Sequence, residues 1–224
     1  MKNGTDKNVV EQFNRIANLP DLWDFNQHYQ KSLLKLIPNG CRSILDVGCG
    51  TGELTKKLAP FASEVIGLDV AENMISEAKK RNSADGITYL LEPVEKYLEE
   101  TGKEFDCIIS IAALHHMDEE RVLSLMKKRL APGGQILALD LVDDKTLPGL
   151  IVTLGAAVLT PFMFLAHSGK MSKSPQEKEA WNEHAKYDTY LTVGKAKAIA
   201  RRALGKAQVK RLMFFRYMLA YKRD

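Results

Sequence analysis

Five short apolar segments recur along the first two thirds of the chain, and each has the length of a β-strand. Four of them are continuously apolar instead of alternating with polar residues, which is typical of strands covered on both faces of a sheet. They occupy residues 43–48, 64–70, 87–92, 105–111 and 135–141. The pattern predicts a sheet that lies between two layers of helices.

Helical periodicity fills the intervals between these segments. Leu54, Leu58 and Phe61 recur at helical spacing, as do apolar residues near 75 and 125. Asp118 is a candidate N-cap, and Ala-Pro-Gly-Gly at 131–134 is expected to end the helix that Asp118 begins and to turn the chain. Because strand and helix alternate, the sequence predicts a parallel, doubly wound α/β sheet.

Two further apolar segments close the chain. Residues 208–215 and 216–222 follow a helical segment at 193–204. Adding this pair to the five alternating strands predicts a mostly parallel sheet of seven strands, in which the last strand runs antiparallel to the others.

The chain has 224 residues, the length of a single domain. We divide it into four parts along the sequence. They are an N-terminal helical cover (1–40), a core (41–141), an insertion (142–190), and a closing helix with a strand pair (191–224).

The insertion opens with a run that carries no charge from Thr146 to Ala166. Its length is that of a membrane span, but Pro148 and Pro161 interrupt it and the last strands must return to the sheet. We therefore expect no transmembrane segment and predict a helical lid over a hydrophobic substrate. A helix lying in a membrane interface, holding a lipid-like substrate, is the alternative.

The cysteines and the charge distribution indicate the cellular compartment and the possible partners of the protein. Cys41, Cys49 and Cys107 are odd in number and lie in or beside apolar segments, which predicts free thiols in a reducing, cytoplasmic compartment. The first fifteen residues have no apolar stretch of the signal-peptide type. Net charge is +4, and residues 186–224 hold eleven Lys or Arg against two Asp. Such a basic segment faces either solvent, which we favour, or an anionic partner such as nucleic acid.

The stretch ILDVGCGTGELT, Ile44–Thr55, has three glycines directly after the first predicted strand. Glycines at a strand-to-helix turn let a ligand approach the backbone, and ligands of open parallel sheets bind beyond this edge. Glu53 stands where a dinucleotide-binding turn has its third glycine, and the turn lacks the lysine of a P-loop. We therefore expect a ligand that is not held by a phosphate.

Asp69 ends the second predicted strand and suggests what the ligand contains. A carboxylate at this position accepts both hydroxyls of an unphosphorylated ribose. Val70 and Met74 offer an apolar surface to an adjacent flat group, while Asp46 suits an ammonium better than a phosphate. These residues predict a ligand with a ribose, a flat group and a polar end.

Four motifs in order make the sequence similar to class I S-adenosylmethionine-dependent methyltransferases. They are LDVGCGTG, VIGLDVAENMISEAKK, FDCIISIAALHHM and LAPGGQILALDL, and they cover roughly residues 44–141. The closing RLMFFRYMLAYKR also resembles the last strand pair of that family. The resemblance implies a Rossmann-like fold, S-adenosyl-L-methionine as cofactor and S-adenosyl-L-homocysteine as product.

The resemblance also implies roles for individual residues. Gly48 and Gly50 would contact the methionine end of the cofactor, Asp69 the ribose, and Val70 with Met74 the adenine. The complete set expected to bind the cofactor is Tyr29, Asp46, Gly48, Cys49, Gly50, Asp69, Val70, Met74, Pro93, Val94 and Ile111.

The loop after the third strand departs from the family pattern. Many members have Asp-Ala there, with the Asp bonded to the adenine amino group, whereas this chain has Pro93 and Val94. The Val94 contact survives if it uses the backbone N–H, and either Glu92 or Glu95 is a candidate replacement for the Asp. Backbone near Ile111 is expected to meet the amino group of the cofactor.

His115 and His116 follow the fourth strand, at the edge where an acceptor is expected. Methyl transfer mainly requires alignment, and a histidine base helps only when the acceptor carries a proton. Either histidine is a candidate base or substrate contact; the alternative is a loop pair with one ring packed and one solvated. The histidines and cysteines lack metal-ligand spacing, so no metal site is predicted.

The stretch Leu22–Leu34, LWDFNQHYQKSLL, resembles the N-terminal segment of a bacterial branch of the family, which folds over the cofactor. Tyr29 is expected to reach the methionine carboxylate and His28 to line the pocket. The alternative is an amphipathic helix in which Trp23 and Tyr29 serve only packing.

The leading interpretation is an enzyme that methylates a small, partly apolar molecule at an oxygen, nitrogen or sulfur. The apolar insertion lies where the family builds substrate lids, and Trp181, His184 and Tyr187 are candidates to orient the substrate. RNA or protein methylation is the alternative, favoured by the basic C-terminal segment; SIAA, however, stands where base-amine methyltransferases have an N-P-P-Y-type motif. A cofactor-binding subunit without activity is the third interpretation.

Overall fold

The structure is a computed structural model that describes residues 7–17, 25–143, 147–168, 174–186 and 188–224. Trp23 and Tyr187, named above, lie outside these residues. The described α-helices are α1 (Lys7–Ile16), α2 (Phe25–Leu34), α3 (Glu53–Leu58), α4 (Glu72–Arg81), α5 (Val94–Glu100), α6 (Glu119–Lys128), α7 (Leu147–Ser168), α8 (Pro175–Ala185) and α9 (Val193–Leu204).

One twisted sheet forms the centre of the molecule. Its strands are β1 (Ser43–Val47), β2 (Glu64–Asp69), β3 (Ile87–Leu91), β4 (Phe105–Ile111), β5 (Leu130–Leu141), β6 (Gln208–Leu212) and β7 (Arg216–Lys222), in the order β3-β2-β1-β4-β5-β7-β6. β7 pairs antiparallel with β5 and β6, and the other neighbouring strands pair in parallel. The predicted seven-stranded sheet with an antiparallel final strand is confirmed.

Continuous apolar character in the strands follows from helices on both faces. Ile44 and Leu45 are neighbours in β1 and point to opposite sides, yet both are fully buried, each in a different core cluster. The winding reverses beside β1, which has β2 on one side and β4 on the other. Ligands of such sheets bind outside the carboxyl ends of the strands at this reversal.

The end signals of α6 act partly as the sequence predicted. The Asp118 carboxylate accepts the Arg121 N–H at 3.1 Å and caps the helix. Residues 131–134, however, do not form a turn before β5 but a bulge inside it. Phe105 pairs with Leu130, and the next ladder partner of β4 is Gln135. The positive φ of Gly133 absorbs the extra residues without steric cost.

β6 is shorter than the apolar pattern predicts, because residues 213–215 form the turn into β7. Phe214 and Phe215 both adopt positive φ angles, 55° and 57°, a conformation that side chains rarely take. Phe214 is 4% exposed and stacks on Phe25 of α2, with ring centroids 4.2 Å apart. Packing against the N-terminal helices therefore holds this turn.

The N-terminal helices and the insertion cover the carboxyl edge of the sheet. α1 packs on both α4 and α8. α7 exposes several large apolar side chains, among them Val158 and Phe162 at 68% and 66% exposure. Within the described part of the chain, no helix combines the length and the apolar character that a membrane crossing requires.

Candidate active site

A cavity of about 270 Å³ opens at the carboxyl edge of the sheet, beside β1 and β4. Helices α1 and α2 and the Trp181 side chain of α8 line its outer side. Nine of the eleven residues expected to bind the cofactor line this one cavity: Asp46, Gly48, Cys49, Gly50, Asp69, Val70, Met74, Val94 and Ile111.

The glycine turn connects β1 to α3 through a backbone that only glycine adopts easily. Gly48, Gly50 and Gly52 have φ angles of 71°, 53° and 79°. A methyl group on Gly48 would lie 2.3 Å from the Cβ of Ala113, so the turn also packs too closely for a side chain. The Gly48 N–H donates to the Leu68 carbonyl at 2.9 Å, which fixes the turn to β2.

Asp69 ties the end of β2 to the glycine turn and still faces the cavity. One carboxylate oxygen accepts the Gly50 N–H and the other the Ala71 N–H, both at 2.9 Å. The carboxylate retains acceptor capacity for a ligand hydroxyl. Burial raises the pKa of Asp69, and the backbone donors oppose this rise.

Asp46 lies deeper, 1% exposed, and accepts the Thr55 hydroxyl at 2.7 Å. Burial raises the pKa of Asp46 to about 7 against the opposing Thr55 bond, with a smaller contribution from nearby Asp69. Its charge therefore changes near neutral pH, and a ligand cation would favour the ionised form. Burial also raises the pKa of the Cys49 thiol well above its usual value, so this thiol stays neutral.

The loop after β3 contributes differently from the family pattern. Val94, the first residue of α5, lines the cavity, and so does Glu92, whose carboxylate is 2.9 Å from the Lys96 ammonium. Pro93 instead lines a shallower depression beside Leu91. Between the two candidate carboxylates, Glu92 is the one the fold brings to the cavity wall; Glu95 is not among the described lining residues.

His116 lines the cavity, whereas His115 lies behind it, 3% exposed. The Nδ1 atom of His115 is 2.6 Å from one oxygen of Asp140, and its backbone N–H donates to the other at 2.9 Å. Asp140 belongs to β5, so this pair joins the loop after β4 to the neighbouring strand. The two histidines thus differ: His116 faces the ligand space and His115 is anchored.

A buried carboxylate from the insertion meets this histidine pair. The Oδ1 atom of Asp188 lies 3.6 Å from Nδ1 of His116, 4.0 Å from Nε2 of His115 and 3.5 Å from Nε2 of His184. The Nδ1 atom of His184 is 3.0 Å from Oε1 of Gln12. Burial lowers the pKa of His184, while Asp188 opposes this shift. Of the residues expected to orient a substrate, Trp181 and His184 therefore reach this region.

Tyr29 and His28 are not brought to the cavity, as far as the described lining residues show. The Tyr29 hydroxyl donates to the Met213 carbonyl at 3.3 Å, and its ring meets His28 edge-on. The expected contact of Tyr29 with the cofactor does not follow from this geometry. α2 does contribute to the cavity, but through Asn26, Gln27 and Gln30.

Sequence reasoning missed some of the lining residues. Gln27 donates to the Glu53 carboxylate at 2.7 Å and so ties α2 to the helix after the glycine turn. Phe13 of α1 packs edge-on against the His116 ring, with centroids 5.2 Å apart. Helical periodicity marks Phe13 only as apolar. The contacts of Asp140 with His115 and of Asp188 with His116 carried no local signal, because they join residues 25 and 72 positions apart in the sequence.

The strand order of the sheet is that of a Rossmann-like fold, which solved methyltransferase structures share. Residues 44–134 match the family described as a methyltransferase domain. Over this segment the chain is similar to the class I S-adenosylmethionine-dependent methyltransferases.

Similar proteins come from several organisms. An uncharacterized methyltransferase of Mycobacterium tuberculosis is 32% identical over 129 residues, which are 57% of this chain and 65% of that protein. The human mitochondrial ubiquinone biosynthesis O-methyltransferase is 35% identical over 119 residues, covering 47% of this chain and 32% of that protein. The match thus spans less than two thirds of these relatives.

Solved structures share the fold at low identity. The N-methyltransferase NodS of Bradyrhizobium japonicum WM9, in complex with S-adenosyl-L-homocysteine, superposes with a TM-score of 0.61 at 16% identity and covers 97% of this chain and 99% of that one. Magnesium protoporphyrin IX methyltransferase of Synechocystis PCC 6803 gives 0.59 at 16% identity, covering 98% and 95%. Identity at this level supports the fold alone.

Proposed function

We propose that this protein transfers the methyl group of S-adenosyl-L-methionine to a small, partly apolar molecule and releases S-adenosyl-L-homocysteine. One observation carries the proposal: the glycine turn, Asp69 and His116 line the same cavity. The first two are suited to the cofactor, and the third borders the space left for an acceptor.

The cofactor in this proposal lies along the carboxyl ends of β1 and β2. Its methionine end meets Gly48 and Gly50, its cationic groups face Asp46, and its ribose hydroxyls bond to Asp69. The remaining proposed contacts are Cys49, Val70, Met74, Val94 and the backbone near Ile111. Pro93 and Tyr29 are left out of this set, because neither is among the described residues of the cavity wall.

The acceptor in this proposal lies between His116 and the covering helices. Phe13, Met117 and Trp181 line that side, and their rings and thioether suit an aromatic or aliphatic molecule. The names of the ubiquinone biosynthesis O-methyltransferases agree with an acceptor of this class. The basic C-terminal segment does not border the cavity in the described residues, which disfavours nucleic acid as the acceptor.

The reaction we propose is an in-line displacement. A lone pair on the acceptor atom attacks the methyl carbon, the carbon–sulfur bond breaks, and its electron pair returns to sulfur. The sulfonium already activates the methyl group, so the protein acts mainly by alignment. An acceptor that carries a proton must also lose it, and His116 is the described histidine that faces this space.

Transfer of a radiolabelled methyl group tests the proposal. Purified protein is incubated with labelled S-adenosylmethionine and separate pools of phenols, amines, thiols and RNA, and the labelled product is counted. We expect label in a low-molecular-weight pool, lost in a His116→Gln variant. Label only in RNA would favour the alternative function, and the absence of transfer to every pool would contradict an enzymatic role.

We also propose that the protein works in a reducing, cytoplasmic compartment. Cys41, Cys49 and Cys107 are buried free thiols, which agrees with a reducing, cytoplasmic compartment. Large apolar side chains of α7 are exposed. We propose that they contact a membrane interface weakly and that an apolar acceptor arrives by this route.

A further inference from the structure

Three imidazole rings from two separate parts of the chain converge on one carboxylate oxygen, Oδ1 of Asp188. His115 and His116 come from the loop after β4, and His184 comes from α8. The nitrogen–oxygen distances are 3.5, 3.6 and 4.0 Å, and the four side chains are only 4–8% exposed. Such a concentration of ionisable groups away from water is costly unless charge is balanced within it.

These distances are longer than hydrogen bonds. Among the described residues, Oδ1 of Asp188 is a buried oxygen without a hydrogen-bond donor, while Oδ2 accepts the Tyr190 hydroxyl. A carboxylate oxygen in that position calls for a positive partner. The spacing leaves room for an atom between Oδ1 and the ring nitrogens.

The outer contact of His115 fixes which of its ring atoms faces inward. Its Nδ1 donates to Asp140, a carboxylate that also accepts the N–H groups of His115 and Leu141. A neutral His115 ring therefore presents the lone pair of Nε2 toward Asp188. Two electron-rich atoms then face each other at 4.0 Å, an arrangement that a cation between them stabilises.

We propose that His115, His116 and Asp188 bind a divalent transition-metal ion. One ligand atom from each residue lies within 4.8 Å of the other two. Ligands about 2.0–2.1 Å from a tetrahedral ion lie roughly 3.3 Å apart, so small side-chain movements complete the geometry. Two histidines and one carboxylate leave a coordination position open, as zinc and iron sites with exchangeable ligands do. This proposal departs from the sequence expectation of no metal, because residues 115 and 188 are joined only by the fold.

The surroundings of the site resemble the outer shell of known metal centres. Ligand histidines usually donate their second ring N–H to a carboxylate or carbonyl, and His115 does so to Asp140. His184 supplies a further nitrogen within 3.5 Å of Asp188, and its own Nδ1 contacts Gln12. Helix α1 therefore helps to hold the ring that closes the site.

The site borders the acceptor space, because His116 lines the cavity. This step rests on the proposed methyl transfer. A hydroxyl or thiol bound at the open position would release its proton to solvent at a lower pH than when free, since a metal ion stabilises the anion. The anion would then attack the methyl group. In the metal-bound protein, His116 would hold the ion instead of taking the proton itself. The acceptor class that fits best is a phenol, enol or thiol.

Metal titration tests the site without relying on activity. Full-length protein is stripped with a chelator and titrated with Zn²⁺ in competition with a chromophoric chelator. We expect one equivalent per chain. Substituting Co²⁺ should produce the visible absorption of a four- or five-coordinate ion. Asp188→Asn and His116→Gln should each weaken Zn²⁺ binding at least about 100-fold, and Asp140→Asn, which removes only an outer contact, by about 10- to 100-fold.

His167→Gln is the matched control, because His167 lies on α7 and its Nδ1 contacts the Met163 carbonyl, away from the cluster. Its Zn²⁺ affinity should equal that of the wild type, and thermal unfolding of each variant checks that the fold persists. Absence of stoichiometric binding, or equal affinity in folded Asp188→Asn and His116→Gln, would overturn the site. Binding of S-adenosyl-L-homocysteine is measured separately in chelator: cofactor binding without metal binding contradicts only this inference, and the reverse contradicts only the proposed function.

Discussion

Gly48 meets two independent demands, one on its backbone and one on its surroundings. Its φ of 71° is in the left-handed region, and the space where a Cβ would point is filled by Ala113. Gly40 has a similar φ of 74° with nothing within 4 Å. The two positions therefore separate the cost of the conformation from the cost of the clash.

Replacement by alanine should distinguish them. A left-handed non-glycine residue costs roughly 1–2 kcal/mol, and overpacking adds about 1–3 kcal/mol. Gly40→Ala should lower the free energy of unfolding by the conformational cost alone, and Gly48→Ala should lower it by both costs. Urea unfolding measures the two losses. Equal losses in the two variants would mean that the Ala113 contact relaxes freely and does not constrain the turn.

Asp46 makes stability depend on pH in an unusual direction. Burial raises its pKa from the ordinary 3.8 to about 7, so the folded state holds a proton that the unfolded state has lost. The resulting stabilisation is complete below about pH 4 and disappears as the pH rises through about 7. Without ligand, ionised Asp46 therefore destabilises the folded state at alkaline pH.

An Asp46→Asn variant keeps the acceptor for Thr55 but cannot ionise. The difference in free energy of unfolding between this variant and the wild type should shift in favour of the variant by about 2–4 kcal/mol between pH 4 and pH 8. Urea unfolding at several pH values measures this difference, in which other titrating groups cancel. Parallel stability curves for the two proteins would show that Asp46 is solvated and titrates normally.

At this scale the sequence identified residues whose role is local. Gly48 and Asp69 belong to contiguous motifs with fixed spacing, so their convergence on one cavity was predictable. Asp188 was not, because its contacts with His116 span 72 positions and depend on how the insertion folds back. Tyr29 shows the limit of assigning a side chain from a helix alone: α2 does reach the cavity, but the face that enters carries Gln27 and Gln30.

The insertion divides into two helices with different environments. α8 packs on α1, Trp181 reaches the cavity wall, and His184 is 4% exposed. α7 exposes Val158 and Phe162, although Ala156 is buried. The lid predicted for the insertion therefore remains a prediction for α7, whereas Trp181 of α8 is part of the cavity wall.

Replacing residues 147–168 with a short Gly/Ser linker tests that prediction. We expect the fold to persist and cofactor affinity to change by no more than a few-fold, because the described exposed side chains of α7 contribute little core packing. Methyl transfer to an apolar acceptor should be lost. A Val158→Ser/Phe162→Ser double variant, which keeps the helix, separates the effect of its apolar surface. Unfolding of the linker variant would mean that α7 is core, and retained activity would mean that the acceptor binds elsewhere.

Strand prediction succeeded where burial on both faces determines composition and failed where backbone geometry decides. β1 to β4 have the positions that their apolar runs predicted. In β5 the sequence Ala-Pro-Gly-Gly has the composition of a turn, yet pairing with β4 continues on both sides of it as a bulge. At the end of β6, Phe214 adopts a turn conformation because its ring stacks on Phe25, a contact that residue propensity does not contain.

In the whole molecule, the sheet order brings the carboxyl ends of β1, β2 and β4 to one edge, and α1, α2 and α8 close over it. Two carboxylates at opposite edges of the sheet show how the two edges differ. Asp69 accepts backbone N–H groups at the carboxyl edge, and Asp106 accepts those of Arg42 and Ser43 at 2.8 and 3.1 Å near the start of β1. Both carboxylates accept backbone N–H groups, but of the two only Asp69 lines the cavity.

Calorimetric titration with S-adenosyl-L-homocysteine, applied to the wild type, Asp69→Asn and Asp106→Asn, tests the central claim most directly. We predict one molecule bound per chain. Asp69→Asn should weaken binding by about 1–3 kcal/mol through lost charged hydrogen bonds to the ribose, and Asp106→Asn should leave it unchanged. The account is contradicted if the wild type does not bind the ligand, if it binds NAD at this site instead, or if folded Asp69→Asn binds as tightly as the wild type.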